Sequence, residues 1–154
     1  VTELHPTAAR VQGRLRGRGL DVEVREMPDS TRTAADAAAA VGCEIGQIVK
    51  TLVFVAGGEP VVVLCAGDRR VDASRIGDDV RTARADEVRE ATGYAIGGVP
   101  PLGHDRELPT LVDESLRRFG EVWCAAGTPR AVFAVAVDDL LRVLPDAEVR
   151  SVSA

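Results

Sequence analysis

Ile45-Gly46-Gln47-Ile48-Val49-Lys50-Thr51-Leu52-Val53-Phe54-Val55 is an apolar run interrupted by one charge. Beyond the pair Gly57-Gly58, Pro60-Val61-Val62-Val63-Leu64-Cys65-Ala66 continues the pattern without a charge. Two β-rich runs across a glycine pair predict a hairpin at the centre of the core. Residues two apart on a strand share a face, so Lys50 projects with Ile48, Leu52 and Phe54. Val49, Thr51, Val53 and Val55 take the other side. Lys50 is the single lysine among nineteen basic residues, the rest being arginine. Its compact ammonium differs from the wide planar fork of a guanidinium. A charge in an apolar row must reach water, a counter-ion or an anionic ligand. A pocket satisfies that demand, and so does a lysine that snorkels to solvent or guards a sheet edge.

Upstream of the hairpin, Leu4, Ala8, Val11 and Leu15 fall at helical spacing. With Pro6 in the first turn and Gly17 and Gly19 at the end, this predicts a helix over 6–17. Asp21-Val22-Glu23-Val24-Arg25 alternates like a strand. Thr33 with Asp36 three residues on predicts an N-cap for an alanine-rich helix over 34–41, closed by Gly42. Downstream, Ala73, Ile76 and Val80 predict a short helix and 86–92 another. Strands are expected near 110–112, 122–126 and 131–136. A terminal helix carries Val137, Leu140, Leu141 and Leu144, and a last strand is expected over 149–152. Strands and helices interleave too irregularly for a regular parallel winding. The expected fold is α+β, one domain over 1–154, with a mixed, curved or barrel-like sheet and flanking helices.

The bulk numbers narrow the function. A chain of 154 residues buries roughly 70% of its unfolded surface. Aromatics are only 3% of the chain, so Val, Leu, Ala and Ile must fill the core. A net charge of −5 argues against a protein that holds nucleic acid through a broad basic face, although a local basic strip is compatible with it. Cys43, Cys65 and Cys124 are far apart, without CxxC spacing, and read as buried small hydrophobes in a reducing compartment. No stretch reaches the length of a membrane span and no signal-peptide core is seen, so a cytoplasmic protein without membrane contact is the expectation.

Gly93-Tyr94-Ala95-Ile96-Gly97-Gly98-Val99-Pro100-Pro101-Leu102-Gly103 holds four glycines and two prolines. Glycine lets backbone approach a ligand closely and proline stiffens the loop. Fixed amides in such a loop can bind an anion or a developing oxyanion. The loop lacks the pattern of a P-loop or a dinucleotide fingerprint, and an ordinary surface turn has the same composition. Asp113-Glu114 could serve as an acid–base pair, but adjacent acids on a strand face opposite ways, which favours helix capping by Asp113. His104, just past the loop, could meet a ligand or sit exposed. Arg10, Arg14 and Arg18 form a stripe four residues apart, and Arg69-Arg70 follow the second core strand; phosphate contact and a solvated face are the alternatives. No Ser-His-Asp, Cys-His or metal-ligand spacing is present, so no metal or cofactor is expected.

Together these segments resemble the YbaK/ProX family of free-standing aminoacyl-tRNA deacylases, relatives of the editing insertion in bacterial prolyl-tRNA synthetases. The resemblance runs in order through Thr33-Ala-Ala-Asp-Ala-Ala38, Gln47-Ile-Val-Lys-Thr-Leu-Val-Phe54 and Val63-Leu-Cys-Ala-Gly-Asp-Arg-Arg-Val-Asp72. It continues through Thr92 to Gly103, similar to the family's GxxxP loop at Gly97 to Pro101, then Leu108 to Leu116 and Ala126-Gly127.

The resemblance implies a hydrolase that cleaves the ester between a wrong amino acid and the tRNA 3′ adenosine. Lys50 would hold the terminal phosphate or ribose. Gly97 and Gly98 would present backbone donors, with Val99, Pro100 and Pro101 completing the loop. Thr33, His104, Asp113 and Ala125 would contact the substrate, and Gly127 would leave space beside the aminoacyl group. A second sieve by size would set specificity.

Members of the cysteinyl-tRNA branch carry Ser-Gly-Gly in the late strand and an acid shortly after. This chain departs from them with Ala125-Ala126-Gly127, and with Val132 at the acidic position. Two polar groups are thereby missing from the implied pocket, a change compatible with a small amino acid such as alanine. The expected partner is the aminoacyl-tRNA 3′ end, aided by a docked synthetase or elongation factor, and a homodimer is left open. The alternatives are a non-catalytic module that binds tRNA ends or a synthetase, and hydrolysis of another small ester or amide.

Overall fold

Val49–Ala56 (β2) and Glu59–Ala66 (β3) form the expected hairpin in the computed structural model, which describes residues 3–154. Their antiparallel register pairs Val49 with Ala66, Lys50 with Cys65 and Ala56 with Glu59. The two faces of β2 separate as period two requires. Val49, Val53 and Val55 enter the main core, while Phe54, with Leu52 against it, joins a second apolar cluster. The hairpin is the middle of a five-stranded mixed sheet. Val80–Thr82 (β4) adds antiparallel to β2; Thr110–Asp113 (β5) adds parallel to β3, and Glu148–Arg150 (β8) parallel to β5.

A second, antiparallel sheet orders Arg25–Glu26 (β1), Ala131–Ala136 (β7) and Glu121–Ala125 (β6). A parallel bridge between Ile48 and Trp123 joins it to the start of β2, so the two sheets curve around a shared core. This is the α+β, partly closed arrangement that the strand pattern predicts.

Among the described residues, four helices flank the sheets. Pro6–Gly17 (α1) buries Ala8, Val11 and Leu15 in the main core, the i, i+3, i+7 stripe read from the sequence. Ala34–Val41 (α2) starts where the Thr33 hydroxyl accepts the Asp36 amide at 3.1 Å and ends at Gly42 in the left-handed conformation. Ala85–Thr92 (α3) and Val137–Arg142 (α4) complete the set. Among the described residues no helix is long and apolar enough to cross a membrane.

Three local expectations are corrected. Residues 21–24 bury Val22 and Val24 and expose Asp21 and Glu23, yet they pair with no strand; the Val24 amide instead meets the Gln12 side chain at 2.8 Å. Burial alternates without a ladder, and β1 is only Arg25–Glu26. The short helix near Ala73 is one 3-10 turn, Ala73–Arg75, and Val80 belongs to β4. The last strand is Glu148–Arg150, because Val152 gives its amide to the Asp113 carboxylate at 2.8 Å.

Candidate active site

Beside the bridge between Ile48 and Trp123, residues of both sheets line an open cavity of about 640 Å³. Its walls come from the entry to α2 (Thr31 to Ala34), from β2, from Ile96, Gly97 and Val99 of the glycine loop, and from Trp123 to Ala125 of β6. The wall is mostly apolar. Its ionisable members are Arg32, Lys50, Arg70 and Cys124. Cys124 is fully buried, and burial pushes its thiol pKa strongly up, so it stays protonated and is no nucleophile.

Lys50 reaches the cavity from β2 and is half-buried. Its Nζ donates to the Arg69 carbonyl, on the chain that exits β3. An ammonium has three hydrogens, so this contact steers the side chain and leaves two donors free. Of the two placements that the strand pattern left open, a pocket or a snorkelling lysine, the side chain here lines the cavity.

The glycine loop is held rigidly from behind. Tyr94 is buried, its hydroxyl donating to the Gly103 carbonyl at 3.3 Å and accepting from Arg14 Nη1 at 3.1 Å. Arg14 also donates to the Gly103 carbonyl at 2.9 Å and to Asp105 at 2.9 Å, and Arg10 lies over the Tyr94 ring at 5.1 Å. Arg18 pairs with Glu107 at 2.9 Å. The arginine stripe of α1 is thus divided: Arg10 and Arg18 are exposed, as a solvated face requires, while Arg14 is half-buried against the loop. Arg14 clamps the loop.

The loop's amides divide into used and unused. Gly98 N–H is spent on the Ala95 carbonyl at 3.0 Å, and the Gly98 carbonyl accepts from Gly127 N–H at 2.7 Å. Gly97 and Val99 both line the cavity, and their amides donate to no acceptor among the described residues. Gly97 has φ +90°, and the Arg32 stem crosses it so closely that a Cβ there would lie 2.6 Å from Arg32 Cγ.

Of the residues expected at the site, Lys50, Gly97, Val99, Thr33 and Ala125 line the cavity, while Thr33 also caps α2. The structure moves the others away from it. Gly98, Pro100 and Pro101 stand behind the wall. His104 turns back on the Pro100 carbonyl at 2.7 Å and faces a separate recess of about 30 Å³ with Pro101; burial lowers its pKa below the usual histidine value.

Asp113 is a buried structural acceptor outside the wall. It takes the amides of Ser115, Val152 and Ser153 at 3.2, 2.8 and 3.0 Å and the Ser153 hydroxyl at 2.9 Å. Burial works to raise its pKa, but these hydrogen bonds outweigh that and hold it low. Gly127 does not open space for a ligand: a Cβ on it would meet Thr7 and Val11 of α1 at 2.9 Å.

The structure adds Arg32, Thr51, Ile96 and Trp123 to the wall. Ile96 is 51% exposed at the mouth, and the Arg25 guanidinium lies 5.4 Å from the Trp123 ring. An isolated tryptophan beside an apolar strand was the one signal in the sequence that could have marked Trp123. Arg32 has none, because its contact with Gly97 is made only by the fold.

The aminoacyl-tRNA editing domain model matches residues 28–143. A solved structure described as "a putative trans-editing enzyme for prolyl tRNA synthetase" superposes with a TM-score of 0.91 at 47% identity, covering 99% of each chain. The proline–tRNA ligase of Lactobacillus gasseri is 38% identical over 76 residues, which is 46% of this chain and 14% of the ligase. The Enterococcus faecalis protein named "putative Cys-tRNA(Pro)/Cys-tRNA(Cys) deacylase EbsC" is 29% identical over 101 residues, 62% of each chain. This chain thus spans less than two thirds of either curated relative. Match, superposition and cavity agree: the chain belongs to the aminoacyl-tRNA editing domain family.

Proposed function

We propose that the protein is a trans-editing deacylase that hydrolyses the ester of a mischarged aminoacyl-tRNA bearing a small amino acid. The observation that carries this reading is the juxtaposition, in one cavity, of the Lys50 ammonium with the uncommitted amides of Gly97 and Val99. An aminoacyl ester is already activated, so orientation and oxyanion stabilisation suffice for its hydrolysis. Lys50 holds the terminal ribose or phosphate, and the two amides receive the negative charge that grows on the carbonyl oxygen as water adds to the carbon. The ester C–O bond then breaks, and the ribose oxygen leaves with a proton. The cavity wall offers no carboxylate or histidine as base, so a ribose hydroxyl of the substrate passes that proton.

The side chains of Val99, Cys124, Ala125 and Val132 make this part of the wall largely apolar, with the Cys124 thiol only a weak hydrogen-bonding group. A sieve of that kind favours a small aliphatic residue such as alanine over a hydroxylated or thiol-bearing one. A docked synthetase or elongation factor would raise the local tRNA concentration around an acidic protein.

The deciding experiment offers a panel of aminoacyl-tRNAs to the wild type and to Lys50→Ala. Release of at least one mischarged small amino acid, lost in a folded Lys50→Ala, is the expected result. Binding without turnover across the panel would instead identify a non-catalytic module.

A further inference from the structure

Three cationic side chains, Arg32, Lys50 and Arg70, line the cavity, and no acidic residue does. In a chain of net charge −5 this is a local inversion of sign. Among the described residues no carboxylate pairs with the Arg32 or Arg70 guanidinium within 4.0 Å. The acids that flank Arg70 in sequence are already engaged. Asp68 is held by Arg118 at 3.0 and 2.6 Å, and Asp72 pairs with Arg75 at 3.7 Å.

Both arginines also stand on fixed backbone. Thr31, just before Arg32, gives its amide and its hydroxyl to the Pro129 carbonyl at 2.6 and 3.0 Å. The Arg70 carbonyl accepts from the Ala154 amide at 3.0 Å, and the next residue, Val71, bridges to Ser153. The Arg32 stem lies across Gly97, while the Lys50 ammonium is tied to the carbonyl just before Arg70. Arg32 therefore flanks the loop side of the cavity and Arg70 the lysine side. A guanidinium fork matches two oxygens of a phosphate, and pre-positioning reduces the entropy lost on binding.

We infer that Arg32 and Arg70 form, with Lys50, a phosphodiester-binding rim that takes the sugar–phosphate backbone of a single-stranded RNA 3′ end entering the cavity. The inference rests on the editing reading for the identity of that RNA. Charge contacts to the backbone position the strand without reading its bases. The rim thus fixes the acylated end while the apolar inner wall selects the amino acid. It also answers the difficulty posed by the acidic composition: the affinity is concentrated in three groups at one opening, not spread over a basic face.

The test measures binding of an uncharged RNA hairpin with a single-stranded 3′ tail, by fluorescence anisotropy, over a series of salt concentrations. Arg32→Gln and Arg70→Gln are compared with Arg117→Gln, which makes the same charge change at an exposed site outside the cavity. Each rim variant should make the dependence of log affinity on log salt shallower by about 0.7, the value for one released counter-ion on a single strand. Arg117→Gln should leave it unaltered. Equal slopes in all four proteins, an equal change in all three variants, or no wild-type binding at low salt would each overturn the rim. Deacylation assayed on the same samples separates the two ideas. Shallower slopes without any deacylation would sink the editing reading alone, and deacylation with unaltered slopes would sink the rim alone.

Discussion

The Gly127 amide donates to the Gly98 carbonyl at 2.7 Å, tying the loop that faces the cavity to the turn between β6 and β7. The contact is backbone to backbone at close range: a Cβ on Gly98 would stand 2.9 Å from the Gly127 carbonyl group. Behind both lies α1, which touches Gly127 through Thr7 and Val11 and grips the far end of the loop through Arg14. Three segments distant in sequence therefore form one rigid backing for the Gly97 and Val99 amides.

Gly127→Ala is the direct probe of that backing. Its φ of +97° disfavours any L side chain, and the new methyl would overlap Thr7 and Val11 at 2.9 Å. Together these effects should cost about 2–4 kcal/mol, measured by urea unfolding. A variant as stable as the wild type would show that α1 moves away at no cost, and the backing would not be rigid.

Arg14→Ala tests the other anchor. The variant loses hydrogen bonds to the Tyr94 hydroxyl, the Gly103 carbonyl and Asp105. Arg14 is about one-third exposed (35%), so the stability loss should be modest, about 1 kcal/mol. Turnover should suffer more than that loss suggests, because the loop amides lose their fixed position while the cavity itself remains. We expect kcat to fall about tenfold with KM changed less than threefold. Unaltered kcat in steady-state deacylation would leave the clamp with a purely structural role.

The contrast between Lys50 and Gly127 shows what was legible in the sequence. Period two alone set Lys50 apart from the core face of β2, and the glycine pair fixed the hairpin, so the central sheet followed from local pattern. Capping chemistry likewise fixed α2 through Thr33 and Gly42. The site was harder to read, because a motif marks a segment and not the direction in which each residue points. Gly97 and Gly98 are neighbours, yet one lies in the wall and the other spends its amide on Ala95. Asp113 carries a charge whose capping of the Ser115 amide was legible locally, but three of its four hydrogen-bond donors come from Val152 and Ser153 of the C-terminal chain, which no local pattern foretells. Arg14 and Arg32 gain their roles only through contacts about 65–90 residues away along the chain.

His104 predicts a pH dependence whose sign follows from its burial. Desolvation lowers its folded pKa below the unfolded value of about 6.5. The unfolded chain therefore binds the proton first, and stability is lost as pH falls below about 6.5 and through the lower folded pKa. Urea unfolding at a series of pH values from 7.5 to 5 should show this decline, and His104→Gln should flatten it. A decline of the same size in the variant would assign it to other groups.

Lys50→Arg separates charge from shape. If a positive charge at the opening were all that the site requires, arginine would serve, as it does at every other basic position of this chain. The ammonium is compact and reaches the Arg69 carbonyl from within the β2 row, whereas the guanidinium is a wide planar fork. In a cavity already holding Arg32 and Arg70, the larger group would crowd the space before the Gly97 and Val99 amides. Deacylation kcat/KM should therefore drop at least about tenfold, with stability within about 0.5 kcal/mol of the wild type. Full activity in the arginine variant would mean that the lysine contributes charge alone, and the close positioning argued for its ammonium would be wrong.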